Sequence, residues 1–142
     1  LVATRAYIGQ HGDPQSPTEL QVHNCLHYPR SQDTPAWTFE LRGSSAVGER
    51  ITVPVSGNFA ANNSEALREA ALTGAGIALL PDFSAQAELR KGQLVRVLPD
   101  WKPVGAFAET IYAIRPYTPH VPRAVTALVA CLRQGLANGF GV

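Results

Sequence analysis

Ala70-Ala71-Leu72-Thr73-Gly74-Ala75-Gly76-Ile77-Ala78-Leu79-Leu80-Pro81-Asp82-Phe83 is the stretch on which the fold turns. Its first half closes a helix. Leu67, Ala70, Ala71 and Gly74 lie on one narrow apolar face, and their small side chains permit close approach to a sheet. Gly74-Ala75-Gly76 ends that helix, and 77–80 is a wholly apolar run, as in a strand covered on both sides. Upstream, Asn62-Asn63-Ser64 opens the same helix; Asn62 with Glu65 has capping-box spacing, and Asn63 is an equally good cap. Before it, Ile51, Val53 and Val55 alternate as a returning strand. Strand, helix, buried strand reads as a βαβ unit with a right-handed crossover. That unit requires 51–56 and 77–80 to share one sheet, and separate sheets would refute the assignment.

The flanks continue the alternation of element types. Leu1 to Ala3 end a strand, Thr4 caps a short helix through Tyr7 and Ile8, and His11-Gly12 stops it. Ser16-Pro17-Thr18-Glu19 is a helix start with capping-box spacing, and Cys25 to Tyr28 read as a strand. Trp37, Phe39 and Leu41 alternate with Thr38, Glu40 and Arg42, which predicts a half-buried strand before a loop over 43–48. A helix is predicted over 84–91, ended by Gly92, with strands over 94–98 and 110–114. The last helix runs from about Val121 to Leu136, with Val121, Val125, Leu128, Leu132 and Leu136 on one face. These elements indicate an α/β protein with a mixed sheet.

Composition narrows the function classes. A chain of 142 residues with 45% hydrophobic and 16% charged residues is globular rather than disordered. Its formal charge of +1 comes without a basic stripe, so this segment lacks the clustered Lys and Arg that phosphate contacts need. Cys25 and Cys131 are too few and too far apart for a disulfide framework, which points to a reducing compartment. No run reaches membrane-span length and the first residues do not form a signal peptide. Methionine is absent, so the sequence is read as a piece of a longer chain.

Few groupings could carry chemistry. On a strand His23, Cys25 and His27 would face one way, but no second ligand pair accompanies them, and no structural metal is expected. Gly74-Ala75-Gly76 follows a helix and precedes a strand, the reverse of a dinucleotide loop. Ser44 and Ser45 lack nucleophile-elbow spacing, and nothing pairs Asp82, Asp100 or Glu109 for acid–base work. No catalytic residue, and no cofactor, is expected. Asn62-Asn63-Ser64 is different: amide, hydroxyl and free backbone N–H groups meet at a helix start beyond a strand's carboxyl end. Such a place suits a carboxylate or phosphate, alongside ordinary capping.

Taken in order, several motifs resemble one family. They are Thr4-Arg5-Ala6-Tyr7-Ile8 with His11-Gly12-Asp13-Pro14, Pro17-Thr18-Glu19-Leu20, His23-Asn24-Cys25-Leu26, Trp37-Thr38-Phe39 and Asn62-Asn63-Ser64-Glu65-Ala66-Leu67. The long 70–83 stretch follows, then Gly92-Gln93-Leu94-Val95-Arg96-Val97-Leu98-Pro99 and Ile111-Tyr112-Ala113-Ile114-Arg115-Pro116. Each is weak alone, but their order is similar to the effector-binding region of LysR-type transcription regulators. The resemblance implies a type II periplasmic-binding-protein-like α/β fold: one Rossmann-like lobe plus the returning strand and helix of the other. Residues 1–108 would then form the second lobe and 109–142 return to the first. It also implies a small-molecule effector, with a carboxylate as the fitting chemistry, in an interlobe cleft. Further implications are DNA contact only through a separate N-terminal winged helix-turn-helix, a homo-oligomer, and a cytoplasmic location. On this lobe the effector would meet Thr4, Asn62, Asn63 and Ser64, with Pro81, Asp82 and Phe83 as an outer wall. The family often has Ser-Pro where this chain has Thr4-Arg5, so Arg5 bears on the hinge and on the ligand's charge preference. An extracytoplasmic solute-binding protein of related fold is the alternative, and the upstream sequence would separate the two.

Overall fold

A computed structural model of the chain describes residues 1–29, 35–43, 50–105, 112–118 and 120–137. It divides into two compact units, Leu1–Phe107 and Ala108–Gly141. In the first unit, β1 (Val2–Ala3) lies between β5 (Ile77–Ala78) and β6 (Val95–Arg96), antiparallel to both. On the far side of β5, β2 (Cys25–Leu26) pairs in parallel, giving the sheet order β2-β5-β1-β6. A second sheet, β4-β3-β7, is antiparallel throughout and consists of β3 (Ala36–Leu41), β4 (Arg50–Pro54) and β7 (Trp101–Val104).

The alternation over 37–42 holds in detail: Trp37 and Phe39 are buried while Thr38 and Glu40 look outward, although Leu41 is exposed. The βαβ unit as predicted does not hold, because β4 and β5 lie in different sheets. Past Pro54 the chain leaves the hairpin and runs beside β2 instead. Cys25 N–H donates to Ser56 O, His27 N–H to Phe59 O and Ala61 N–H to His27 O, with a parallel bridge between His27 and Ala60. The parallel partner feeding the helix is therefore the 56–61 segment, one step later than the apolar alternation of 51–55 suggested. Packing explains the shift. Val53 and Val55 are needed on the antiparallel hairpin, where they join Trp37 and Phe39 in one core cluster.

Helices then cover the first sheet. α1 (Arg5–His11) starts as expected, with Thr4 Oγ accepting the Tyr7 N–H at 3.2 Å. The segment after Ser16 is a 3-10 helix, Pro17–Val22, and its box is incomplete. Glu19 accepts from the Gln15 N–H and from Ser16 Oγ rather than from the Ser16 backbone. α2 (Ser64–Leu72) is capped by Asn63, whose Oδ1 accepts from the Ala66 N–H at 2.8 Å, which settles the choice between the two asparagines. Its end is a Schellman closure: Gly74 N–H donates to Ala71 O and Ala75 N–H to Ala70 O, with Gly74 at φ 79°. α3 (Asp82–Arg90) begins two residues before the predicted start, with Pro81 at its N-cap. β7 was not foreseen in the sequence.

In the second unit, α4 (Arg123–Gly135) fulfils the expected last helix. Tyr112 to Ile114 are exposed and irregular, so the described part of the 110–114 strand does not form; 110–111 lie outside the described residues. Among the described residues no strand lies beside them to take their backbone hydrogen bonds. Most of the predicted 43–48 loop also lies outside the described residues.

Candidate functional site

Three parallel segments, 56–61, β2 and β5, point their carboxyl ends the same way. In open α/β sheets that end is where ligands bind, because the loops there splay apart. The helix starts after two of those segments are joined directly: Ser84 Oγ of α3 donates to Ser64 Oγ of α2 at 2.7 Å, and the Tyr28 phenol hydrogen-bonds Ser64. Of the anticipated site residues, Asn62, Asn63, Ser64, Pro81, Asp82 and Phe83 are thus brought to one end of the sheet. Asn62, Asn63, Asp82 and Phe83 are exposed there. Ser64 is buried, and its hydroxyl is already engaged.

Thr4 is not with them. A Cβ on Gly74 would lie 3.4 Å from Thr4 Oγ, which places Thr4 at the C-terminal end of α2, about 13 Å of helix away from Ser64. Topology requires this, because β1 runs antiparallel to β5 and its exit faces the opposite edge. At the same end of the sheet, before β2, lies a clamp. Asn24 Nδ2 donates to Asn58 Oδ1 at 2.8 Å and to Ala75 O, and Asn58 N–H returns a bond to Asn24 Oδ1 at 2.9 Å.

The His23, Cys25 and His27 side chains are each separately occupied. His23 Nδ1 lies 3.3 Å from the Tyr7 hydroxyl, which also accepts the Asn24 N–H. Cys25 Sγ donates to Leu20 O, and burial pushes its thiol pKa up to about 12, whereas a metal ligand must be a thiolate. His27 Nδ1 donates to Cys25 O at 3.0 Å. Among the described residues no three His, Cys, Asp or Glu side chains converge on a point, and no buried side-chain polar atom lacks a partner.

A feature that the sequence reading missed lies next to Pro81 and Asp82. A cavity of about 340 Å³ is bounded by Leu79, Ala85, Leu89, Val97 and Trp101, with Arg42, Arg96, Lys102 and Asp82 around it. The alternation over 37–42 set Arg42 among the polar partners of apolar neighbours, but it said nothing of Arg96. Their meeting in space had no signal in one dimension.

This unit is thus an α/β assembly with two helix starts and a small cavity at the carboxyl end of its parallel strands. Over residues 1–137 the chain matches the family described as LysR substrate binding domain, and it belongs to that family. It is 35% identical over 138 residues to the HTH-type transcriptional regulator PtxR of Pseudomonas aeruginosa, covering 96% of this chain and 41% of that protein. It is 29% identical over 134 residues to the probable HTH-type transcriptional regulator LtrA of Klebsiella pneumoniae, covering 94% and 42%. The chain thus spans less than half the length of these relatives. Among solved structures, it is similar to full-length AphB, a virulence activator of Vibrio cholerae, with TM-score 0.60 and 31% identity over 72% of this chain and 33% of that one. CrgA, a LysR-type regulator from Neisseria meningitidis, gives TM-score 0.56 and 31% identity, covering 72% and 34%. The periplasmic-binding-protein-like fold class follows from these matches. No helix among the described residues is long and apolar enough to cross a membrane.

Proposed function

We propose that the chain is the second-lobe part of the effector-sensing domain of a cytoplasmic LysR-type transcription regulator. A small molecule held between two lobes changes DNA binding by a separate N-terminal winged helix-turn-helix, and the whole protein works as a homo-oligomer without catalysis. The observation that carries this is the family match along nearly the whole chain, with transcriptional regulators 29% and 35% identical among its relatives. Residues 1–108 are assigned to the second lobe and 109–142 to the return into the first. Asn62, Asn63, Ser64, Pro81, Asp82 and Phe83 form the effector-facing end, while Thr4 acts as a helix cap.

A thermal-shift screen of the complete regulator tests the proposal, because a ligand that binds only the folded state raises its stability. Compounds that shift melting should also alter retardation of DNA from upstream of the regulator's own gene. Ligands that raise the melting temperature but leave DNA binding untouched at every concentration would favour the solute-binding alternative.

A further inference from the structure

Tyr7 is the one buried residue of α1, and its hydroxyl is the helix's polar anchor. The hydrogens around that hydroxyl can be counted. The Asn24 N–H donates to the phenol oxygen at 3.0 Å, so the phenol's own hydrogen must go elsewhere. Among the described residues the hydroxyl's one other partner is His23 Nδ1, at 3.3 Å, and His23 is buried as well. Nδ1 is therefore the acceptor, and the neutral ring carries its hydrogen on Nε2. A second proton on this ring lands on Nδ1, the atom that faces Tyr7. Two donors then point at one phenol oxygen, and the phenol hydrogen loses its acceptor inside the fold. The contact is satisfied in one protonation state only.

Asn24 carries the consequence into the sheet. Its N–H is held by Tyr7, its carbonyl accepts the Ile77 N–H of β5 at 2.9 Å, and its side chain ties Asn58 to Ala75. We propose that the His23–Tyr7 contact is a proton-operated latch: a proton on His23 Nδ1 releases Tyr7, and with it α1 and the start of β2 at Asn24, from the first sheet. The latch belongs to this sheet and its helices and does not depend on which ligand the domain senses. The groups around His23 set its direction. Burial acts first against a charge there; His11, whose ring stacks on Tyr7 with centroids 4.5 Å apart, repels one, while Glu19 of the 3-10 helix and Asp13 before it attract one. Cys25 of β2, which also acts on Tyr7, is a buried thiol pushed up to about 12 and carries no charge. The closed latch therefore holds the proton less readily than a free imidazole does. Opening returns the ring to water and to a pKa of about 6.5, so opening takes up a proton and acid favours it. The latch is closed above that pH and opens progressively below it.

Hydrogen exchange of the complete regulator, read by mass spectrometry and corrected for the intrinsic pH dependence of amide exchange, tests this. Between about pH 7.5 and about pH 5.5, peptides covering 5–11 and 23–28 should exchange about tenfold faster, while a peptide covering 36–41 of β3 keeps its protection. His23→Gln, whose amide oxygen accepts from Tyr7 and takes up no proton, should stay slow at both pH values. Tyr7→Phe removes the contact and should exchange fast at both; where that variant does not fold, the comparison of wild type with His23→Gln decides. Wild-type peptides 5–11 and 23–28 that keep their rates across the range overturn the latch without any variant. A His23→Gln protein that still opens in acid overturns it too, as does acceleration that takes in 36–41 equally, because that is acid unfolding of the whole unit.

Discussion

Gly76 and Gly57 sit where the backbone of β2 leaves no room for a side chain. A Cβ would fall 2.2 Å from Asn24 O at the first and 2.1 Å from Cys25 O at the second. A carbonyl inside a strand cannot swing aside as a long side chain can, so Gly76→Ala should cost about 1–3 kcal/mol. Gly9→Ala, on α1 with no atom within 4 Å, should instead gain up to about 1 kcal/mol from helix propensity. Urea unfolding of both variants checks this pair, and equal midpoints would mean that β2 yields. His23 offers a pH test. Burial first, and repulsion from His11 second, hold its pKa below the ordinary imidazole value, with Glu19 and Asp13 opposing. The unfolded chain therefore takes up the proton first as pH falls below about 6.5. Stability from this group is full above that pH and declines below it, until the folded form is protonated too. His23→Gln should flatten the decline in urea midpoint on acidification; an unchanged slope would assign the effect to other groups.

At the scale of elements, α2 tests capping directly. Asn63→Ala removes the bond to the Ala66 N–H and should destabilise by about 0.5–2 kcal/mol, whereas Asn62→Ala should fall within a few tenths. Thermal melts of the two variants separate them, and equal losses would mean that the cap is shared. Two adjacent asparagines were legible in sequence as a helix start, but choosing between them needed backbone angles. Periodicity carried β3 because its contacts are read from alternate residues of one segment. It missed β7 because Pro103 argues against a strand, while an edge position opposite Phe39 tolerates a residue without an N–H. The pairing of 51–55 failed for a related reason: apolar alternation says which face is buried and not which sheet buries it. The candidate site split along the same line. Local starts at Asn62–Ser64 and Pro81–Phe83 were visible as helix punctuation. The antiparallel course of β1, which takes Thr4 to the other end, is a long-range property, as is the meeting of Arg42 with Arg96.

For the molecule as a whole, α4 poses the open packing problem. Leu128 and Leu132 are 59% and 46% exposed, Leu136 is exposed as well, and no residue of the helix is buried. Burying such leucines is worth on the order of 1.5–3 kcal/mol each, and together they rival the roughly 5–15 kcal/mol stability of a domain. A helix with this stripe is therefore built to be covered, and in the proposed two-lobed domain the remainder of the first lobe covers it. Residues 1–142 expressed alone should hide the stripe by self-association, sedimenting as a concentration-dependent oligomer. Leu128→Glu with Leu132→Glu should return that species to a monomer, because a carboxylate on the stripe cannot enter an apolar contact without losing its hydration. In the complete regulator the same two changes should lower the melting temperature instead, since there the stripe faces its own domain. The isolated chain should also bind the effector far more weakly than the complete regulator, because a cleft between lobes needs both walls. A stable monomer of 1–142 that matches the complete regulator in effector affinity would place the cleft wholly within the first unit. The interlobe cleft and the domain boundary at 108 would then both be wrong, and the α4 stripe would need a different partner.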